Sequence, residues 1–219
     1  MEISKQAVEA AYQKQAKHYD AAMKLYKLAG LRMDEYRARV VALLRLKRGD
    51  SVVDLGCGTG LSFPLLTRAI GPEGRLIGVD ISAAMLARAD ERTKRSGWTN
   101  VHLVQAELAV YELPQGVDAA LSTGVLGYVP ERAQVLEKIA RRLRPGGRVV
   151  IMDGKRPDRW PRWLFRLFVT CSGPYGVTEA YFDNQTWKAV ERYFHDTTFE
   201  EMYGGLMYIS AGTAALKPA

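Results

Sequence analysis

A glycine-rich loop is the first segment of the sequence with the composition and spacing of a ligand site. Gly56, Gly58 and Gly60 directly follow the apolar segment Ser51–Leu55 and precede a helical pattern. Glycines let the chain turn sharply and let a ligand approach the backbone amides at the start of a helix. The dinucleotide fingerprint G-x-G-x-x-G would need a glycine where Leu61 stands, so the spacing argues against NAD or FAD.

Three acidic residues stand at or just after the ends of successive predicted strands. Asp54 precedes the first glycine by two residues, where a carboxylate can accept hydrogen bonds from an ammonium group. Asp80 ends the second strand, where a carboxylate can bind two ribose hydroxyls, and Glu107 follows the third and could accept from an adenine amino group. Three acids disfavour a pyrophosphate, so the site is expected to bind a nucleoside that carries positive charge.

These residues must be positioned by an alternation of strands and helices. Apolar periodicity, caps and glycine turns predict the following elements. Helices are expected over 4–29, 34–46, from Gly60 to about Ile70, 82–96, 131–143 and 184–194, and strands over 51–55, 75–79, 101–104, 117–122, 148–152, 195–203 and 206–211. Strands separated by helices imply a parallel sheet covered on both faces. The expected fold is a Rossmann-like, doubly wound, mostly parallel seven-stranded sheet with a helical N-terminal cover.

The length and composition favour one domain. The chain has 219 residues, of which 47% are hydrophobic and 25% charged, and no polar linker divides it. We therefore expect a single domain over residues 1–219. Its parts are a helical cover (1–48), a cofactor-binding core (49–153), a basic aromatic flap (154–183) and a closing helix and strands (184–219).

The core resembles that of class I S-adenosylmethionine-dependent methyltransferases. The resemblance covers residues 50–153 and rests on five segments in order. They are V-V-D-L-G-C-G-T-G at 52–60, G-V-D-I-S at 78–82, Q-A-E-L at 105–108, L-S-T at 121–123 and R-L-R-P-G-G at 142–147. Each segment is common by itself, and their order and spacing together make the resemblance specific.

The resemblance implies S-adenosylmethionine as the cofactor and assigns residues to its parts. Asp54, Gly56, Gly58 and Gly60 would surround the methionine portion, Asp80 would hold the ribose, and Ile81 and Met85 would flank the adenine. Glu107 stands where the family usually has Asp, and Leu108 would offer a backbone amide. Ser122, in the matched segment L-S-T, is a further candidate cofactor-binding residue. Tyr19, in the sequence His18–Asp20, resembles the tyrosine that closes over the cofactor; the alternative is that Tyr19 packs within a helix.

The chemistry of such a donor requires positioning more than a catalytic triad. A sulfonium methyl is already activated, and alignment of the reacting atoms can supply ~7 to 11 kcal/mol of the barrier. A primary amine acceptor must lose a proton, since its pKa resembles that of lysine, ~10.4. Tyr19, Tyr128 and Asp153 are the candidate catalytic residues, and Tyr181 is a further candidate. Tyrosine faces could also hold a quaternary ammonium product by cation–π attraction.

A basic aromatic segment indicates the class of acceptor. Residues 155–166 carry five cations and one anion, interleaved with Trp160 and Trp163. Indole rings and arginine side chains suit the boundary of lipid headgroups, and clustered cations suit anionic lipids. The segment Lys155–Phe168 is therefore expected to face an anionic membrane surface. The alternative is a lid packed on the sheet with a solvated cationic rim.

The chain as a whole is similar to bacterial phospholipid N-methyltransferases and, more distantly, to ubiquinone and menaquinone C-methyltransferases. This implies methylation of the phosphatidylethanolamine amine, with C-methylation of a quinone precursor second and a soluble small-molecule acceptor third. The net charge of +7 is compatible with a membrane or with RNA. Residues 122–125 read Ser-Thr-Gly-Val rather than an N-P-P-Y-like tetrad, which disfavours a nucleic-acid substrate. Binding of the nucleoside without catalysis stays an alternative.

Other sequence features limit the remaining classes. Cys57 and Cys171 lack the paired spacing of a zinc site, and we expect no metal. The start of the chain has no apolar core of an export signal, and the longest uncharged run, Met202–Leu216, is too short to span a bilayer. A cytoplasmic enzyme, peripheral on the inner face of the membrane, is expected; the sequence does not indicate an oligomeric state.

Overall fold

A computed structural model describes residues 33–172 and 177–215. Within them, seven strands form one sheet in the order β3-β2-β1-β4-β5-β7-β6. The strands are β1 (Ser51–Leu55), β2 (Arg75–Asp80), β3 (Val101–Gln105), β4 (Val117–Thr123), β5 (Leu143–Gly154), β6 (His195–Met202) and β7 (Met207–Thr213). The helices are α1 (Met33–Leu43), α2 (Phe63–Ile70), α3 (Ala83–Ser96), α4 (Arg132–Arg142), α5 (Arg162–Ser172), α6 (Glu179–Phe182) and α7 (Thr186–Tyr193).

The sheet is mostly parallel, which confirms the expected fold. Strands β1 to β5 pair in parallel, whereas β7 runs antiparallel to both β5 and β6. The central strands are buried because both faces of the sheet are covered. Val40, Leu66 and Leu86 of α1 to α3 pack on one face, and Leu136 of α4 and Val190 of α7 pack on the other.

Strand β5 begins earlier than its sequence pattern indicates. The predicted turn at Pro145–Gly147 lies inside this strand, because Leu143 already pairs with Val117. The next residue pair is Ala119 with Arg148, so two residues along β4 correspond to five along β5. Residues 144–147 therefore bulge out of the ladder. Proline and glycine are tolerated at such an irregularity, where ladder hydrogen bonds are interrupted.

The flap also contains an element that the sequence reading left without secondary structure, the helix α5. Its residues Phe165, Phe168 and Val169 pack toward Phe182 of α6, and Leu206 completes this cluster. The predicted helix 4–29, the candidate Tyr19 and most of the helical cover lie outside the described residues. None of the helices in the described parts of the chain is long and apolar enough to cross a membrane.

The strand order identifies the edge at which a ligand is expected. Strands β2 and β3 lie on one side of β1, and the later strands, starting with β4, lie on its other side. The order in which strands are added therefore reverses between β1 and β4. In open parallel sheets, ligands bind in the crevice beyond the carboxyl ends of the strands at this reversal. The glycine loop follows β1 at that point.

Candidate functional site

The glycine loop is folded against the neighbouring strand β2. The amides of Gly56 and Cys57 both donate to the carbonyl of Val79, at 2.7 and 2.9 Å. Gly56 has a φ of +73°, and a Cβ on it would lie 2.3 Å from the Val125 side chain. Gly58 has a φ of +54°, yet a Cβ there would meet nothing within 4 Å. The backbone at Gly58 therefore borders open space that a ligand can occupy.

Asp80 ties the loop to the start of α3. Its carboxylate accepts a hydrogen bond from the amide of Gly58 at 2.8 Å and another from the amide of Ser82 at 2.9 Å. Burial raises the pKa of Asp80, and these backbone hydrogen bonds oppose that shift. Asp80 also lines the crevice, so its carboxylate is positioned by the backbone at the wall of the crevice.

Asp54 lies beneath the loop and is 1% exposed. Its Oδ1 atom has no hydrogen-bond partner among the described residues. Burial raises the pKa of Asp54 to about 7; the positive charge of Arg37 opposes this shift and the negative charge of Asp80 adds to it. A buried carboxylate with an unused oxygen is costly unless a donor reaches it, and an ammonium group is such a donor.

The crevice consists of two adjoining cavities of about 130 and 80 Å³. They share five lining residues: Gly56, Asp80, Ile81, Val125 and Tyr128. The larger cavity is completed by Arg37, Cys57, Gly58, Thr59, Leu61, Ser62, Met85, Thr123 and Gly124, and the smaller by Glu107, Leu108 and Val129. The crevice thus runs from the glycine loop to the end of β3, as a nucleoside with an amino-acid extension would require.

Most of the predicted site residues line this crevice in the structure, and the others do not. The residues at the crevice are Gly56, Gly58, Asp80, Ile81, Met85, Glu107, Leu108 and Tyr128. Gly60 instead serves packing, because a Cβ on it would lie 2.7 Å from the ring of Phe63. Ser122 is fully buried with an unpartnered Oγ, and the next residues, Thr123 to Val125, line the cavity instead.

Arg37 is the main site residue that the sequence reading missed. It projects from α1 into the larger cavity, and its Nη1 lies 3.2 Å from Asp34 Oδ1. Its guanidinium is also close enough to lower the pKa of Asp54. No spacing rule connects α1 with the glycine loop, so only the packing of this helix on the sheet reveals the contact.

Asp153 does not line the crevice but supports a residue that does. It is 0% exposed, and its carboxylate accepts hydrogen bonds from the amides of Gly127 at 2.6 Å and Gly154 at 3.0 Å. Burial raises its pKa to about 6, and hydrogen bonds from Tyr181 and these amides oppose the shift. Asp153 therefore holds the turn Leu126–Tyr128 from behind rather than lining the crevice, and its catalytic role stays a prediction.

Tyr128 joins the crevice to the flap. Its ring stacks on that of Tyr181 with centroids 4.4 Å apart, and Tyr181 contacts Phe182 edge to face at 4.9 Å. A Cβ on Gly127 would lie 2.7 Å from the Tyr181 ring, so this glycine allows the close approach. The Tyr128 ring is thus held between the crevice and the aromatic cluster of the flap.

The seven-stranded sheet, the glycine loop after β1 and the acids Asp54, Asp80 and Glu107 at or near the ends of β1, β2 and β3 are the features expected of a site for a positively charged nucleoside. Residues 46–198 match the family described as "Methyltransferase domain", and the chain belongs to this family. This family agrees with the predicted enzyme class, S-adenosylmethionine-dependent methyltransferase. The unpartnered Asp54 Oδ1 and the open space over Gly58 fit this cofactor, whose methionine portion carries an ammonium group.

Individual relatives differ in their acceptors. A demethylmenaquinone methyltransferase from Listeria welshimeri is 32% identical over 59% of this chain and 55% of its own length. An arsenite methyltransferase from Halobacterium salinarum is 35% identical over 51% of this chain and 29% of its own length. The chain thus spans about half the length, or less, of these curated relatives.

A solved structure shows the same fold at low identity. The phosphoethanolamine N-methyltransferase 2 of Haemonchus contortus, in complex with S-adenosyl-L-methionine, superposes with a TM-score of 0.66 at 18% identity. The similarity covers 82% of this chain and 52% of that chain. Identity at this level supports the fold, and the acceptor has to be argued from the residues of this chain.

Proposed function

We propose that the protein transfers a methyl group from S-adenosylmethionine to the amine of phosphatidylethanolamine at a membrane surface. The observation that carries the proposal is the aromatic cluster between the crevice and the exposed side of α5. Tyr128 lines the crevice and belongs to the same buried cluster as Phe165 of α5 and Tyr181 of α6. An acceptor with an apolar body would gain contact with the crevice end of this cluster at Tyr128, whereas a small polar acceptor would gain nothing from it.

The residues of the crevice would bind the donor and orient it. Asp80 would hold the ribose, and Glu107 and Leu108 would lie at the adenine end. Asp54 does not line either cavity, and its unpartnered Oδ1 would accept a hydrogen bond from the ammonium group once that group reaches it. When bound, S-adenosylmethionine supplies a methyl group activated by its positive sulfur. The protein contributes a fixed geometry for in-line attack, which can lower a barrier by ~7 to 11 kcal/mol.

Tyr128 would orient the acceptor amine. Its ring is held by the stack on Tyr181, so the face directed to the crevice has a defined position. A methylated ammonium above a tyrosine face gains ~0.5 to 2 kcal/mol from cation–π attraction. Asp153 holds the turn below and does not need to touch the amine. Tyr19, the other aromatic candidate, stays a prediction because it lies outside the described residues.

The part of the flap that would face the membrane is narrower than Lys155–Phe168. Lys155 is tied to Asp158 and Glu201, each at 2.7 Å, and Arg156 is tied to Glu179 and Asp183. These ion pairs make the two cations part of the folded flap. The membrane-facing surface that we propose is the outer side of α5.

The outer side of α5 exposes large apolar side chains. Trp163 is 68% exposed and Leu167, one helical turn later, is 53% exposed. Trp160 instead packs edge to face on Phe168 at 6.2 Å. Exposed tryptophan and leucine beside arginines form an interfacial surface, because the apolar groups enter the headgroup region while the cations meet lipid phosphates.

C-methylation of a quinone precursor is the second candidate. It is favoured by the relative named demethylmenaquinone methyltransferase, and a prenylated quinone also has an apolar body that suits the aromatic cluster. The two reactions differ at the acceptor atom, since an amine nitrogen carries its own electron pair and a ring carbon needs activation by a deprotonated hydroxyl.

The test is transfer of radiolabelled methyl from S-adenosylmethionine to lipids in vesicles. We expect label in mono- and dimethylated phosphatidylethanolamine from vesicles of phosphatidylethanolamine and phosphatidylglycerol. D80A is the control without donor binding. It removes the carboxylate that orders the Gly58 and Ser82 amides and that would hold the ribose, and it should abolish labelling. Label that enters only an added demethylated quinone would favour the second candidate, and label in neither acceptor would contradict both.

A further inference from the structure

We propose that a cavity between α5 and α6 binds the phosphate group of a phospholipid. This inference goes beyond methyl transfer, and it rests on the proposed function only for its lipid source. The cavity measures about 590 Å³ and is separate from the crevice, with which it shares no lining residue. Its arginines are Arg156, Arg162 and Arg166, and its aromatic walls are Trp160 and Phe165.

The arginines of this cavity are bound to different degrees. The guanidinium of Arg156 lies 4.6 Å from the centroid of Phe165 and is held by Asp183 and Glu179. The Nε atom of Arg166 lies 3.7 Å from Glu179 Oε1, which is a long distance for an ion pair. Arg162 makes no hydrogen bond or ion pair with any residue that the structure describes. Arg162 thus has no described partner, Arg166 has one long ion pair, and Arg156 is held by two carboxylates.

The acidic residues of the cavity are already occupied. Asp158 is paired with Lys155 at 2.7 Å, and Glu179 is paired with Arg156 at 3.1 Å. Among the lining residues, three arginines stand against two carboxylates, so the cavity keeps a net positive charge. Guanidinium groups recognise phosphate oxygens through paired hydrogen bonds. A cavity lined by arginines is therefore more suitable for phosphate than for a halide.

The placement of the cavity on α5 favours a phosphate that belongs to a lipid. Arg162 and Arg166 are one helical turn apart, and the exposed Trp163 and Leu167 each follow one of them directly. Residues with this spacing lie on one side of a helix. Apolar side chains that enter the interface would therefore bring the cavity to the level of the headgroup phosphates.

The experiment compares two arginines that differ only in their relation to the cavity. R162Q removes a cavity residue that has no bond to described residues to lose. R159Q removes the same charge from an exposed arginine that does not line the cavity. Glycerophosphoethanolamine, which carries the phosphate diester without acyl chains, is titrated into each protein by calorimetry, with inorganic phosphate as a second probe.

We expect R162Q to weaken the binding of glycerophosphoethanolamine about tenfold or more, because the variant loses a charge-assisted hydrogen bond to the phosphate. R159Q should change it by less than about twofold, because an exposed charge is screened by salt. R166Q is the second cavity variant and should behave as R162Q does. Binding of inorganic phosphate alone, without the diester, would contradict a lipid source. Equal effects of R162Q and R159Q, or no binding by the unaltered protein, would overturn the proposal.

The outcome is independent of methyl transfer. The titration needs no donor, so a failed methylation assay with intact probe binding would reject the acceptor and keep the phosphate site. Vesicles of phosphatidylglycerol in phosphatidylcholine provide the final measurement. R162Q should pellet with them less than R159Q, although both variants have lost one positive charge.

Discussion

Asp54 and Asp80 are neighbouring acids with different tasks. The Asp80 carboxylate is already satisfied in part by two backbone amides, so its orientation is set before a ligand arrives. Asp54 is buried with one oxygen unpartnered, and its pKa is raised to about 7, mainly by burial. Because the folded-state pKa lies above the ordinary value, the ionised form of Asp54 costs stability as the pH rises through about 7.

This shift predicts pH-dependent cofactor binding. Below about pH 7, Asp54 is protonated in the unbound protein and must lose its proton to pair with an ammonium group. The affinity for S-adenosylhomocysteine should therefore fall by up to about tenfold per pH unit below that value. Calorimetry in buffers of different ionisation enthalpy should detect a proton released on binding near pH 6.

D54N is the control for this linkage. The amide cannot titrate, so its binding should be weaker at neutral pH and nearly flat between about pH 5.5 and 7.5. A wild-type affinity that is equally flat would contradict the assignment of Asp54 to the ammonium group.

Among the elements, the turn Leu126–Tyr128 depends on a buried network that reaches from β5 to α6. The Tyr181 hydroxyl accepts a hydrogen bond from the Gly154 amide at 3.0 Å and also bonds to Asp153. Asn184 adds a hydrogen bond to the Gly154 carbonyl at 3.1 Å. These contacts hold Tyr128 in place from behind, so a change in the network should alter turnover without altering the binding of the donor.

Y181F tests this element. It keeps the ring that stacks on Tyr128 and removes the hydroxyl, which leaves the Gly154 amide without one partner in the buried network. We expect a loss of about 1 to 3 kcal/mol in the free energy of unfolding, measured with denaturant. The kcat should fall while the Kd of S-adenosylhomocysteine is unchanged.

Y193F provides the matched control on α7. Tyr193 is half-buried and packs on the other face of the sheet, and its ring lies 5.5 Å from the guanidinium of Arg192. Its hydroxyl makes no hydrogen bond within the described parts of the chain, so its removal should change stability by less than about 0.5 kcal/mol. Equal destabilisation by both variants would contradict the network as described.

At the scale of the whole molecule, the proposed membrane surface is confined to one helix. Trp163 and Leu167 of α5 are two of the four most exposed large apolar side chains among the described residues. The double variant W163S/L167S should weaken binding to anionic vesicles at least about tenfold, because each side chain loses apolar area removed from water. Sedimentation with vesicles of phosphatidylglycerol measures this.

V110S is the control for that measurement. Val110 is 69% exposed but lies outside α5, in the segment after β3. Its substitution removes an exposed apolar group outside α5 and should leave sedimentation unchanged. If V110S reduced pelleting as much as W163S/L167S does, the surface would not be specific to α5.

The sequence by itself determined the order of the seven strands along the chain, the helices between the first five of them, the glycine loop and the acids at or near strand ends, but not the helix α5 of the flap. These features are local, because side-chain periodicity and turn residues act over a few positions. Only the tertiary structure decided which distant residues meet. Arg37 of α1 lines the crevice, and Asp153 is buried beneath the turn that carries Tyr128. Arg156 is paired with Asp183, 27 residues later in the sequence. Such partners depend on how helices pack on the sheet, and charge and burial at each position follow from that packing rather than from spacing along the chain.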